Sequence, residues 1–417
     1  MTRAHGIELV VPQSWEDVEL TRSLAPDGFY RLTPFEVAAG WVPGFDRLTP
    51  WPADVDPGTA RHAFEQAVLR ALLRPPCVIA FSGGRDSSAI LAVAVKVADR
   101  EGLPRPIAAT HDFTGRGNAD ETRWQELLIK DLGLTDWVRI PDTGSFDVLG
   151  ERALNVLRTY GLVWPPLGHT HSPLWELARG GSFLTGEGGD EVMMERRVSV
   201  FTGTWQRRPR PSRRLLEGMV ESGAPSFVRR RRLRRFVEAH DEHPWMQPGP
   251  REDYYRRLTE DRVAEPFRWS DSVRRAPARR AVLRYIANVN KVAGAMDVEC
   301  HYPFLDRAFV EAWARECGTW GFASRRESTD KLFGDVLHPE VVSRVGKARF
   351  NEVAVDELSR DFARSWSGAG ADPELVDAEV LRKIWIEPNA HAASMSMLHA
   401  AWLAENGLPQ VPAPRQP

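Results

Sequence analysis

Cys77-Val78-Ile79-Ala80-Phe81-Ser82-Gly83-Gly84-Arg85-Asp86-Ser87-Ser88 decides how this chain is read, because an apolar run flows straight into a turn of glycine and hydroxyl groups. Cys77 to Phe81 reads as a short buried strand, and the apolar stretch Ala89 to Val95 as the helix that leaves the turn. Glycine lets main chain approach a ligand closely, and the free N–H groups at a helix N-terminus attract an anion. A phosphate cradle is therefore the functional reading of Phe81, Ser82, Gly83, Gly84, Asp86, Ser87 and Ser88. An ordinary strand-to-helix turn capped by serine is the other, although capping requires a single hydroxyl.

Working outward, Phe64, Val68 and Leu72 recur at four-residue spacing with Leu69 and Leu73 beside them, which predicts an amphipathic helix from Ala60. Downstream, Pro106 to Thr110 predicts a second strand, Trp124 to Leu132 a helix that Asp120 could cap and Gly133 could end, and Trp137 to Ile140 a third strand. After a helix around Asp147 to Leu157, Ser182 to Thr185 predicts a fourth. Strands alternating with helices imply an α/β fold, a parallel twisted sheet flanked by helices with ligands at the carboxyl ends of the strands.

The fourth strand runs into Gly186-Glu187-Gly188-Gly189-Asp190-Glu191, a second turn of glycines and carboxylates at the same edge of the sheet. Two such turns converging would make a site for phosphate and a divalent cation, with Asp86 and Asp190 as oxygen ligands; Mg2+ favours one or two carboxylates completed by phosphate and water. A solvated acidic loop is the alternative for the second turn. Ala281 to Val298, Phe309 to Arg315, Pro373 to Ile386 and Ala392 to Glu405 predict helices, so the C-terminal part is mostly helical. Ahead of Ala60 stand one predicted strand, Ile7 to Val11, and a stretch spotted with Pro and Trp. The expected organisation is a short N-terminal segment over 1–55, one domain over 56–408 and a disordered Pro-rich tail over 409–417.

With 417 residues, 42% of them hydrophobic, the chain can bury a substantial core, and a net charge of −2 supplies no global attraction for nucleic acid or membrane. No apolar run reaches the length of a membrane span, nothing near Met1 resembles a leader, and Cys77, Cys300 and Cys317 are too far apart for a zinc site. A reducing cytoplasm is the expected location. Arg207 to Arg235 is strongly basic around Arg229-Arg230-Arg231-Arg232. It reads either as a solvated helical face or lid, or as a surface for an acidic substrate, a peptide or nucleic acid; no aromatic residues interleave to stack bases. Gly346-Lys347 lacks the rest of a G-x-x-x-x-G-K-[ST] loop, the serines lack the G-x-S-x-G elbow, and His169/His171 and His240/His243 lack metal-ligand spacing.

Four ordered motifs together resemble the ATP-binding synthetase domain of the asparagine synthetase family, over roughly residues 55–405: Ser82-Gly83-Gly84-x-Asp86-Ser87-Ser88, Thr185 to Glu191, Glu299-x-x-Tyr302-Pro303-Phe304-Leu305-Asp306, and Pro339 through Arg344 to Lys347 and Phe350. The resemblance implies an adenine nucleotide alpha hydrolase-like PP-loop fold and an ATP-dependent carbon–nitrogen ligase, AMP- and pyrophosphate-forming. A substrate carboxylate attacks the α-phosphorus, and ammonia or an amine then displaces AMP. It further implies that Asp86 and Asp190 hold Mg2+, and that Ala80, Phe113, Thr185 and Gly186 line the adenosine pocket. Glu187 stands at the family's catalytic glutamate. Glu299 matches an acidic position that forms part of a dyad in the β-lactam-forming relatives, which carry tyrosine at the position of Glu187. By the same resemblance Lys347 would be a catalytic cation and Lys331 a second, although Lys331 precedes Pro339 by about one helical turn less than the family's upstream lysine does and reads equally as an ordinary helix residue.

Glutamine-using members carry an N-terminal amidohydrolase domain that begins with cysteine, whereas Thr2 stands here and only some 55 residues precede the synthetase motifs. Nitrogen is therefore expected from free ammonia, a separate glutaminase partner or an amine on a second substrate. The acyl donor would be a small-molecule or peptide carboxylate, in asparagine or natural-product biosynthesis. Alternatives are a macrolactam synthetase of the lasso-peptide type, an enzyme adenylating RNA bases, and a non-catalytic ATP-binding relative.

Overall fold

Side chains alternate across a strand, so Cys77 and Ile79 enter one core while Val78 enters another, and helices cover both faces of the sheet. The computed structural model describes residues 2–4, 7–9, 27–207, 212–240, 242–346 and 348–412. Five parallel strands make the sheet: β1 (Cys77–Ala80), β2 (Ile107–Asp112), β3 (Trp137–Pro141), β4 (Ser182–Leu184) and β5 (Glu299–His301), in the order β3-β2-β1-β4-β5. The chain builds outward from β1 to β3 and then returns to the other side of β1. The strand order therefore reverses between β1 and β4, where an open parallel sheet leaves a crevice at its carboxyl edge.

The helices Ala60–Leu72, Arg85–Glu101 and Arg307–Cys317 cover one face, and Ser172–Leu177 and Arg280–Gly294 cover the other. The predicted strands are present, and β5 is an addition. Its three residues, Glu-Cys-His, carry no apolar signal; it forms because Ser182 to Leu184 pair with it at the sheet edge. The expected helix over Ala281 to Val298 accordingly ends at Gly294. Similarly, helix begins at Ala378 rather than Pro373, with Asp377 accepting from the Glu379 and Val380 N–H groups.

Residues 27–55 are not a separate unit. Thr33 and Glu36 form a capping box that starts a helix over Pro34–Ala39, and Phe29, Tyr30, Val37, Ala38 and Val42 are buried. Tyr30 and Asn288 exchange two hydrogen bonds, of 2.8 and 3.1 Å, tying this segment to the Arg280–Gly294 helix. Ahead of it, Ile7–Leu9 pairs antiparallel with Thr2–Ala4; Val10 and Val11 of the predicted strand lie outside the described residues. At the other end, the Gln410 carbonyl accepts from Leu162 N–H at 2.8 Å, so the chain stays docked past the expected start of a disordered tail.

The basic segment forms helices over Arg213–Gly223 and Ser226–Ala239. Arg229 is buried and donates to the Val263 and Arg262 carbonyls, Arg230 pairs with Glu260, and Arg234 pairs with Glu238 and Glu252. Part of its charge is thus spent within the fold, while Arg231, Arg232 and Arg235 are exposed. Among the described residues, no helix is long and apolar enough to cross a membrane.

Candidate functional site

The turn after β1 is shaped by its own hydroxyls. Ser87 Oγ accepts from Ser82 N–H (3.2 Å), lies 3.0 Å from Ser82 Oγ and donates to the Gly84 carbonyl, while Gly84 N–H donates to Ser82 Oγ. Gly83 takes a positive φ of 82°, which side chains disfavour, and a Cβ there would meet Gln125 Cγ at 3.0 Å. Gln125 in turn donates to the Ser82 carbonyl (3.2 Å). Gly84 caps the seventeen-residue helix Arg85–Glu101 with no side chain of its own over the N-terminus, leaving that end open to an anion.

The turn after β4 lies directly against the first. A Cβ on Gly186 would stand 3.1 Å from the Asp86 Cβ, and one on Gly189 would stand 2.3 Å from Asp86 Cγ. Only glycine allows the two turns to touch. Their carboxylates face one guanidinium: Arg325 Nη2 is 2.7 and 2.5 Å from the two oxygens of Asp86, and Nη1 pairs with Asp190. Burial opposes the charge on Arg325, but Asp86 and then Asp190 outweigh it and hold the group cationic. Neighbouring Glu191 is pushed up by burial, with Asp190 and Asp86 adding to the shift.

Both turns open into a cavity of about 600 Å³, lined among others by Ala80, Phe81, Ala109 and Thr185. Phe113, Phe146 and Phe350 form an aromatic wall, with ring centroids 5.0 to 5.9 Å apart, and His111 stands edge-on to Phe146 at 5.3 Å. Glu187 also lines the cavity, and its charge acts on the phenol of Tyr285, which belongs to the Arg280–Gly294 helix and lines the cavity too. Burial, followed by the charge of Glu187, raises the Tyr285 phenol well above its ordinary value, so it remains a donor. Behind it, His171 Nε2 is 2.9 Å from the Tyr285 oxygen; burial lowers His171 to about 3, leaving the ring neutral at pH 7.

The loop that follows the Pro339–Ser343 helix closes over the first turn. Arg344 donates through both Nη atoms to Glu121 (2.6 and 2.8 Å) and to the Gly83 carbonyl (2.7 Å), and the pair is buried, at 4% and 8% exposure. Arg85 donates back to the Arg344 carbonyl. Gly346 and Ala348 line the cavity.

The asparagine synthase family model matches residues 59–405. The chain belongs to the asparagine synthase family. No curated protein matches the chain. Membership in the asparagine synthase family makes it one of a group of ATP-dependent ligases.

Of the residues expected to carry function, Ala80, Phe81, Ser82, Gly84, Asp86, Ser87, Phe113, Thr185, Gly186, Glu187 and Asp190 line the cavity together. Lys347 lies outside the described residues. Gly83 faces Arg344 and Gln125 instead, and Ser88 is buried in the first turn of its helix. Glu299 requires a correction. It opens β5, opposite Ser182 at the start of β4, whereas the cavity lies beyond the carboxyl ends of the strands. There it binds Arg74 (2.8 Å) and stands 3.2 Å from His301, whose ring, followed by Arg74, draws the Glu299 carboxyl down to about 2. The partner facing Glu187 is Tyr285. Lys331 is exposed and does not line the cavity; Arg325, two turns earlier on the same helix, does. Arg325 and Tyr285 escape sequence reasoning because each lies in a helix with no motif around it, and His171 enters it only as half of a His169/His171 pair without metal-ligand spacing. The third motif has a structural part as well: Asp306 caps the Arg307–Cys317 helix and pairs with Arg70, and Phe304 is fully buried.

Proposed function

We propose that this chain activates a substrate carboxylate with ATP, releasing pyrophosphate, and transfers the acyl group to ammonia or an amine. The observation that carries the reading is the convergence of two glycine turns, one a phosphate cradle and the other bearing Glu187 and Asp190, on a single cavity with an aromatic wall. Adenine would rest against Phe113, Phe146 and Phe350, with its phosphates at the open end of the Arg85–Glu101 helix. About 600 Å³ leaves space for a second small substrate, within the range of small-ligand sites.

Asp86 and Asp190 fit Mg2+, since one cationic group already binds both carboxylates. When bound there, the ion would neutralise charge on the departing pyrophosphate. Main-chain N–H groups of the first turn face the same charge as the α–β P–O bond breaks, and the substrate carboxylate oxygen becomes bonded to the α-phosphorus. In the second step the amine nitrogen bonds to the acyl carbon, AMP leaves with the C–O electron pair, and Glu187 takes the amine proton. The Tyr285 phenol holds Glu187 in place for that transfer. The cytoplasm, with free ammonia, a glutaminase partner or an amine-bearing peptide as nitrogen source, is the setting this chemistry suits.

Pyrophosphate release across a panel of carboxylates, with ammonium or amines present, tests the reading. Release that depends on one carboxylate class and stops in Asp190→Ala is expected. ATP binding without turnover across the panel would point to the non-catalytic alternative, and wild-type release by Asp190→Ala would remove the metal assignment.

A further inference from the structure

Arg325 is held with unusual definition for a residue in a substrate cavity. Ser324 caps its helix by accepting from Glu327 N–H (3.3 Å), and Glu195 Oε1 accepts from the Arg325 main-chain N–H (3.0 Å), so the root of the side chain is fixed. From that root the guanidinium lies 13% exposed, its Nη2 against both oxygens of Asp86 and its Nη1 against Asp190. Its Nε is buried and has no hydrogen-bond partner among the described residues, so the group gives up one donor to reach both carboxylates with the others. A forked cation suits that task, because two carboxylates this close repel each other in a site with little water between them.

We propose that Arg325 is the resting cation of the metal position: it holds the Asp86–Asp190 pair together and offsets one of its two negative charges until a divalent cation arrives with the nucleotide and replaces it. The proposal rests on reading the cavity as an ATP site. It assigns two consequences of opposite sign to one side chain. Against a bare divalent cation, Arg325 is a competitor, so the protein without nucleotide binds metal weakly. Towards a polyphosphate that carries no metal, Arg325 is a shield, since it cancels carboxylate charge that would otherwise repel the anion.

The test compares wild type, Arg325→Lys and Arg325→Gln in two measurements. Mn2+ binding without nucleotide is followed by electron paramagnetic resonance, and pyrophosphate binding in excess EDTA by calorimetry. Arg325→Gln is expected to bind Mn2+ about tenfold more tightly and metal-free pyrophosphate about tenfold more weakly, the scale of one unit charge at short range near a protein surface. Arg325→Lys keeps the charge but cannot fork, so it should change both affinities in the same directions and by less. This variant also keeps the test open if the glutamine variant does not fold. Mn2+ affinity unchanged or weakened in the folded variants overturns the competitor role, and unchanged pyrophosphate affinity overturns the shield. A wild-type protein that binds no ATP would count against the proposed function, while the Mn2+ comparison would still decide the part played by Arg325.

Discussion

Glu187 and Tyr285 stand 98 positions apart in sequence, yet the fold brings both to line one cavity, with the charge of Glu187 acting on the phenol. With His171 neutral behind the phenol, the chain Glu187–Tyr285–His171 has no charge except the carboxylate, which favours Glu187 as the proton acceptor. Tyr285→Phe removes the hydroxyl while keeping the ring against Tyr302. Its kcat for amide formation should fall about ten- to a hundredfold, the range for loss of a group that positions an acid or base, with the KM for ATP unchanged. Steady-state kinetics with both substrates varied separates this from a packing defect; a raised KM for ATP with intact kcat would remove the positioning role. Glu299 has the opposite character, bound by Arg74 at the far edge of the sheet, where its side chain is half exposed. Sequence alignment to a motif puts an acidic residue near the right strand, but only the strand's direction shows which end of it the residue occupies.

Glycine at the second turn is a matter of elements rather than of single side chains. The Gly189–Met193 helix begins where the Arg85–Glu101 helix presents Asp86, and the gap between them is too small for a methyl group. In Gly189→Ala the new Cβ would overlap Asp86 Cγ at 2.3 Å, so the carboxylate must turn away from Arg325 and Asp190. Divalent-metal-dependent ATP binding should weaken by about tenfold or more, while far-UV circular dichroism stays that of the wild type. Equal binding in both proteins would show that the two turns separate freely. The rule that both turns share one sheet edge was legible from the strand-turn-helix pattern, since parallel strands all end on the same side. Contact between them was not, because it depends on β4 returning beside β1.

Across the whole molecule, the same segments that build the site also close the core. Phe64 packs edge-on to Phe304, Phe309 and Phe333, with centroids 4.9 to 5.1 Å apart, joining the first helix of the domain to the third motif and to the helix that carries Arg325. Phe64→Ala should cost about 3–5 kcal/mol, typical for a fully buried aromatic ring, read as a lower urea midpoint with unchanged slope. Local chemistry in the sequence was enough to determine the parallel α/β sheet, the glycine-hydroxyl turn, the acidic turn and the family, because glycine, hydroxyl and carboxylate groups beside apolar strands act over a few residues. Tertiary structure alone decided that Arg325 reaches Asp86 across 239 positions, that Tyr285 rather than Glu299 meets Glu187, and that residues 27–55 complete the core. Those contacts join side chains on remote elements, and a contact made by folding leaves no periodic trace in the chain that makes it.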